Sequence, residues 1–375
     1  MSDIGALARV AGVSRTALNV LFRDHAHESP AAFLRRIRIE HVCRLLRQGE
    51  KPGDAAGAAG FAGASSFHEQ FLARTGLTPG AYAALPAAGV FTLRLPAGYR
   101  FRTVLDFYGR DRESTSESVS EDGLRKCFLV GGDPALLELR FTGDTAICQT
   151  DAPDIFAAHA AAVRILGIDS DAAGFERQFG DDPLLGAAIK RQRGLRIPLT
   201  PAPWEALAWA IIGQQISLQF AISLRRELIG TAGRPHGSGL RAHPSAEAVA
   251  QLGVDALKSL KFSAAKAEYL LGAARAVANR EVDFAKLREM SAQHAARLLG
   301  GIRGIGPWTV QYAFLRGLGF ADCLPAGDAG LARGLGRLSG ERPAETKIRE
   351  IMMKYAPWRS LATCHIWASL AENPI

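Results

Sequence analysis

Ile302-Arg303-Gly304-Ile305-Gly306-Pro307-Trp308-Thr309 is the stretch on which the reading turns. Two glycines flank one apolar residue, and a proline follows at the start of a helix, where its missing N–H does no harm. Gly304 and Gly306 permit a tight, positive-φ turn with bare backbone. Amides of such a turn, and of the helix N-terminus after it, can grip a phosphate without reading bases. A lone Gly-x-Gly equally suits a plain helix–helix corner, so its surroundings decide. Leu324-Pro325-Ala326-Gly327-Asp328 comes next, a Pro/Gly loop that ends in an Asp ahead of a helix over 331–338.

Working outward, the chain has 375 residues, enough for two or three domains with real cores. Apolar residues make up 48% and charged residues 22%, an ordinary globular balance that excludes a disordered or disulfide-stapled chain. Lys and Arg total 45 against 37 Asp and Glu, a net charge of +8 that favours a polyanionic partner. The five cysteines, Cys43, Cys127, Cys148, Cys323 and Cys364, are scattered without a C-x-x-C pair. A reduced cytoplasm is the expected home, and no zinc ribbon is expected. No secretory signal and no membrane-spanning run is read in the sequence.

Residues 1–86 carry apolar positions at helical spacing: Leu7 and Val10, then Leu18, Leu21 and Phe22, then Phe33, Leu34 and Ile37. Gly12 ends one helix and Ser14 caps the next, which would present Arg15, Thr16 and Asn19 on its polar face. That is helix-turn-helix grammar, and it recurs from Asp54 to Ala73. Leu85 to Gly89 reads as a short linker that lets the segment fold by itself. Residues 90–95, 126–130 and 136–141 look like strands, with turns at 131–134 and 142–144. From about residue 153 onward the pattern returns to helix, broken by Gly/Pro loops. His25 and His27 read as surface residues.

The first segment, closing on Thr75-Gly76-Leu77-Thr78-Pro79-Gly80-Ala81-Tyr82, resembles the AraC-type DNA-binding domain. That family sets two helix-turn-helix motifs side by side on adjacent major grooves. The first motif here starts near the first residue, without the helix that the family sets ahead of it. The remainder resembles the DNA-3-methyladenine glycosylase II family of the helix-hairpin-helix superfamily. The residues that carry this are Ile211-Ile212-Gly213-Gln214-Gln215-Ile216-Ser217, Gly306-Pro307-Trp308-Thr309 with Tyr312, Pro357-Trp358-Arg359-Ser360 and His365-Ile366-Trp367.

The implied fold is mainly α with a small α+β domain. It comprises an AraC-type double helix-turn-helix (1–86), a TBP-like small sheet domain (90–160) and an all-α helix-hairpin-helix glycosylase core (161–375). The resemblance implies a monofunctional glycosylase of base excision repair, acting on bases of the 3-methyladenine and 7-methylguanine type. Asp328 matches the catalytic carboxylate; by itself, an Asp before a helix is most often a cap. Trp308, Tyr312, Trp367 and Phe107 match the base pocket, whose π faces suit an electron-poor flipped base. Bifunctional relatives carry a nucleophilic lysine where Trp308 stands, and tryptophan has no such nitrogen.

Gln214 and Gln215 match positions facing the minor groove, Gln215 as the plug of the vacated hole, and Gly304 and Gly306 hold DNA phosphate. No cofactor is implied as a requirement. A monovalent cation at the hairpin is implied, on the backbone carbonyls of Gly300, Ile302 and Ile305. Lys266 reads as a phosphate or surface contact, and Trp358 as core. Partners are then double-stranded DNA with alkylated bases and promoter DNA, for a monomer in the cytoplasm near the nucleoid, with no membrane. The layout resembles adaptive-response fusions that also bear a zinc-bound methyl-acceptor domain. No Pro-Cys-His-Arg acceptor motif occurs here, so methyl transfer is not expected. The competing reading is an AraC-type transcriptional regulator whose glycosylase half is a non-catalytic scaffold.

Overall fold

The computed structural model describes residues 3–26 and 28–372, so His27 lies outside the described residues, while His25 is exposed. Six helices open the chain: α1 (Ile4–Val10), α2 (Arg15–His25), α3 (Pro30–Arg47), α4 (Pro52–Ala58), α5 (Ala64–Thr75) and α6 (Pro79–Ala83). Their punctuation is local chemistry. Gly12 turns with φ 67°, and the Ser14 hydroxyl accepts from Ala17 N at 3.1 Å to start α2. Thr78 caps α6 in the same way, ahead of Pro79. Leu7, Ala8, Leu18 and Leu34 close a small core under the first motif.

The second motif has no core of its own. Val42, Phe67, Phe71 and Tyr82 belong to one apolar cluster with Phe91, Leu93, Ala158 and Ala162, from the next sheet and helix. The sheet is antiparallel, in the order β1 (Val90–Arg94), β5 (Thr145–Thr150), β4 (Asp133–Thr142), β3 (Gly123–Val130), β2 (Glu117–Val119). Helix α7 (Arg102–Tyr108) precedes β2, and α8 (Ile155–Leu166) follows β5. Gly76, at φ 70°, ends α5, and its carbonyl accepts from Arg94 N at 2.8 Å; His159 Nε2 reaches Thr75 O at 2.8 Å. The short segment 85–89 is therefore a bend within a shared core, not a slack tether.

The helical part comprises α9 (Ala172–Phe179), α10 (Gly186–Arg191), α11 (Pro203–Ile212), α12 (Leu218–Ala232), α13 (Ala246–Ala250), α14 (Val254–Ser259) and α15 (Ala264–Ala278). It continues through α16 (Phe284–Glu289), α17 (Ala292–Gly300), α18 (Pro307–Ala313), α19 (Ala329–Ser339), α20 (Glu345–Met353) and α21 (Arg359–Glu372). Apolar α11 is the central helix, buried from Trp204 to Ile212 except at Trp209. A buried ion cluster joins sheet to helices. Lys126, fully buried, meets Glu117 at 2.9 Å and Glu205 at 3.3 Å, and Arg225 grips Glu117 with two bonds of 2.8 and 3.0 Å. Burial works against the Glu117 carboxylate, but Arg225 and Lys126 outweigh it and hold its pKa well below the ordinary range. Among the described residues no helix is long and apolar enough to cross a membrane, and the five cysteines are free.

Candidate active site

The hairpin forms between α17 and α18. Ile305 N closes the turn on Ile302 O at 3.0 Å. Gly304 has φ 85°, and a Cβ there would overlap the Tyr269 ring, so only glycine fits on both counts. Gly306 departs from the expected positive φ. It is extended, at φ −85°, and caps α18 with open space around its Cα, which leaves the helix N-terminus accessible. Gln214 ties this turn to the end of α11: its Nε2 donates to Gly304 O at 2.8 Å and to Thr309 Oγ1 at 2.9 Å. The amide nitrogen of Gln214 is thus a brace inside the protein. Gln215 is exposed at φ 56°, a left-handed conformation that a non-glycine residue rarely takes, and it lines the cleft.

Lys266 is not the surface contact the sequence suggested. It is buried, and its Nζ donates to the carbonyls of Ile211 (3.1 Å), Ile212 (2.8 Å) and Gln214 (2.8 Å), capping the C-terminus of α11. Burial pushes its pKa down to about 8. Trp358 packs at the edge of the helical core beside Phe179, as expected. Arg303 is exposed and pairs with Glu268 at 3.1 Å.

A cleft of about 1740 Å³ opens between the sheet domain and the helices. It gathers Phe107 from α7, Gln214 and Gln215 after α11, the hairpin residues from Gly300 to Gly306, Trp308 and Tyr312 from α18, Asp328 and Trp367. Arg15, Thr16 and Asn19 stand apart, exposed on α2. Asp328 caps α19, its Oδ1 accepting from Leu331 N at 2.7 Å. The same oxygen accepts from Trp367 Nε1 at 2.9 Å, and Oδ2 accepts from Trp308 Nε1 at 3.1 Å. Capping and chemistry are therefore compatible here: three N–H groups aim one half-buried carboxylate into the cleft. Trp308 lies 5.4 Å from Tyr312, centroid to centroid, and Tyr312 lies 6.0 Å from Trp367. Arg100, Arg102, Arg303 and Arg333 also line the cleft, a positive lining suited to a phosphate backbone.

Among the lining residues that escaped the sequence reading are Trp209, Arg110 and Arg316. Arg316 carried a signal. It follows Tyr312 by one helical turn, and it is a lone charge in the apolar run Ala313-Phe314-Leu315-Arg316-Gly317-Leu318. Phe314–Leu318 form a π-helical turn at the end of α18, a widening often found at functional sites.

Residues 208–357 match the family described as HhH-GPD superfamily base excision DNA repair protein, and residues 7–84 match a helix-turn-helix domain family. A DNA-3-methyladenine glycosylase of Bacillus subtilis is 35% identical over 54% of this chain and 69% of its own. A Mycobacterium tuberculosis protein, described as a probable bifunctional transcriptional activator/DNA repair enzyme, is 28% identical over 99% of this chain and 77% of its own. Among solved structures, the 3-methyladenine DNA glycosylase of Archaeoglobus fulgidus superposes with a TM-score of 0.67, covering 76% of this chain and 99% of its own, at 23% identity. The chain belongs to the HhH-GPD superfamily of base excision DNA repair proteins and, within it, to the DNA-3-methyladenine glycosylases. It is a DNA glycosylase that bears a helix-turn-helix domain at its N-terminal end.

Proposed function

We propose that the cleft hydrolyses the N-glycosidic bond of alkylated bases in duplex DNA, leaving an abasic site and an uncut strand. The observation that carries this is the Asp328 carboxylate, held by two indole N–H groups and a helix N-terminus among aromatic side chains. A target base must leave the stack to be reached, and Gln215 stands ready to fill its place. As the C1′–N bond breaks, the base departs with the bonding electrons and the sugar becomes oxocarbenium-like. Asp328 stabilises that charge and takes the proton of the water that attacks C1′. Trp308 supplies an N–H to Asp328 where a Schiff-base route would need an amine, so strand cleavage has no nucleophile in this position.

Neutral carbonyls suit the monovalent cation proposed at the hairpin. Ile302 O already accepts from Ile305 N, and the Gly300 backbone lies close to Ile305 O. Gly300, Ile302 and Ile305 would hold such an ion beside a DNA phosphate, supplying charge neutralisation only. Arg15, Thr16 and Asn19, exposed on α2, support a second role in binding promoter DNA. The protein would act as a cytoplasmic, nucleoid-associated monomer, in three units near 1–86, 90–160 and 161–375. A regulator with an inert scaffold would have no use for two indoles aimed at one carboxylate. Incubation with methylated duplex DNA tests the reading: free 3-methyladenine and 7-methylguanine should appear while a denaturing gel shows intact strands. No release would contradict it.

A further inference from the structure

The left-handed turn at Gln215 is not a helix ending. Among the described residues three other than glycine have positive φ: Gln215 (56°), Lys261 (69°) and Arg280 (61°). Lys261 and Arg280 each stand directly after the C-cap of a helix, Leu260 and Asn279, where a left-handed residue is an ordinary way to end the coil. Gln215 stands one residue further on, beyond the C-cap Gly213 and Gln214, so termination of α11 does not ask for it. A side chain in that conformation is strained unless its surroundings hold it there.

The surroundings hold it from both sides. Before it, the Gln214 carbonyl accepts from Lys266 Nζ at 2.8 Å, and the Gln214 side chain is pinned to Gly304 O and Thr309 Oγ1. After it, Ser217 starts α12, its hydroxyl accepting from Phe220 N at 3.3 Å. Lys266 is 8% exposed and turns its ammonium wholly to backbone. Two of its bonds, to Ile211 O and Ile212 O, close α11; the third passes beyond the helix to the peptide that joins Gln214 to Gln215. One turn along α15, the Tyr269 ring packs on Gly304, so the same helix that grips this loop also seats the hairpin.

We infer that Lys266 is a positioning residue for base eversion: by gripping the Gln214 carbonyl it holds Gln215 in its left-handed conformation at the mouth of the cleft. This rests on the reading of the cleft as the place where a flipped base is cut, with Gln215 filling the space the base leaves. A glutamine gains little from burial in a base stack, so its usefulness there depends on being presented without further ordering of the backbone. Lys266 touches neither the base nor the sugar. It acts through the residue that does the filling.

The test is single-turnover release of 7-methylguanine from two duplexes that differ only in the partner of the damaged base, cytosine in one and an abasic analogue in the other. Methylation at N7 leaves the pairing edge of guanine intact, and a base without a partner leaves the stack at lower cost. The native protein is compared with Lys266→Met, Gln215→Gly and the double variant. Lys266→Met should raise the ratio of unpaired to paired release by ~10-fold or more over native. Gln215→Gly takes the positive φ freely but brings no side chain, so it should raise the ratio too, and the double variant no further. Should Lys266→Met fold poorly, Lys266→Gln, which keeps an N–H donor, should move the ratio in the same direction by less. A ratio unmoved in the folded variants, equal loss on both duplexes, or effects that multiply in the double variant would overturn the proposal and leave the glycosylase reading standing. Absence of release from either duplex by the native protein would contradict that reading itself, and this inference with it.

Discussion

Asp328 was legible in the sequence as a cap, and as a candidate catalyst only through its company, because a carboxylate before a helix is common. The side chains that make it more than a cap sit 20 and 39 positions away, at Trp308 and Trp367. No local pattern reveals that two indoles converge on one carboxylate. Trp308→Phe keeps the ring and removes one donor. A hydrogen bond to a charged group contributes ~1.5–3 kcal/mol, so kcat for base release should fall roughly 10- to 100-fold with little change in KM. Steady-state kinetics checks this, and an unchanged kcat would show that the indole only packs. Gly304→Ala should weaken binding to undamaged duplex, because both its φ and the Tyr269 ring exclude a methyl group. A fluorescence-anisotropy titration reads that loss, and native affinity would detach the hairpin from DNA binding. Arg316 and Arg110 went unread as cleft residues because what places them, Pro198 O under Arg316 and the Trp209 ring under Arg110, is distant in the chain.

Among elements, α3 shows how a motif legible in sequence acquires a second use. Arg36 is buried between Glu28, Glu40 and Glu289, the last of these on α16. It fastens the N-terminal segment to the helical domain and is not available to phosphate. Arg74 does likewise with Asp169, and Arg47 with Asp154. The strands β1, β3 and β4 were legible from apolar runs, whereas β5, the mixed segment Thr145–Thr150, and the three-residue β2 carry weak patterns. The shared core beneath α3–α6 predicts that removing residues 1–86 uncovers Phe91, Leu93 and Phe156, and lowers Tm or prevents folding. Removing only residues 1–26, which strips α1 and α2 from α3 but keeps Glu28 on Arg36, should leave Tm and base release near native. A stable, active chain lacking 1–86 would contradict this docking.

The docking titrates through His159, and the helical core through His243 and His365. Burial pushes the pKa of His159 and His243 down to about 4 and that of His365 to about 3, against an ordinary 6.5. The unfolded chain takes up these protons first as pH falls. Stability is therefore complete above about pH 6.5 and is lost as pH falls towards 4 for His159 and His243 and towards 3 for His365, by roughly 3 kcal/mol for each of the first two and about 5 for the third at full extent. His159→Gln, which keeps a donor for Thr75 O, should flatten part of the decline of Tm over that range; an unaltered slope would remove His159 from the account.

At the scale of the whole molecule, a small sheet domain and a helical core flank a cleft lined by Asp328 and several arginines, while the helix-turn-helix unit contributes no residue to its lining. The net charge of +8 and the hairpin predict salt-dependent binding to any duplex, while under the proposed function the carboxylate acts only on the reacting sugar. Holding DNA and cutting the glycosidic bond are then predicted to be separable functions of separate residues. The most direct measurement compares native protein with Asp328→Asn on methylated duplex DNA, following base release and DNA affinity together. The predicted result is release of free base from an unbroken strand by the native protein, and loss of release by ~1,000-fold with affinity nearly intact in the variant. If the variant kept more than about a tenth of the native rate, less than ~1.4 kcal/mol would separate the two, and Asp328 would not be the catalytic group.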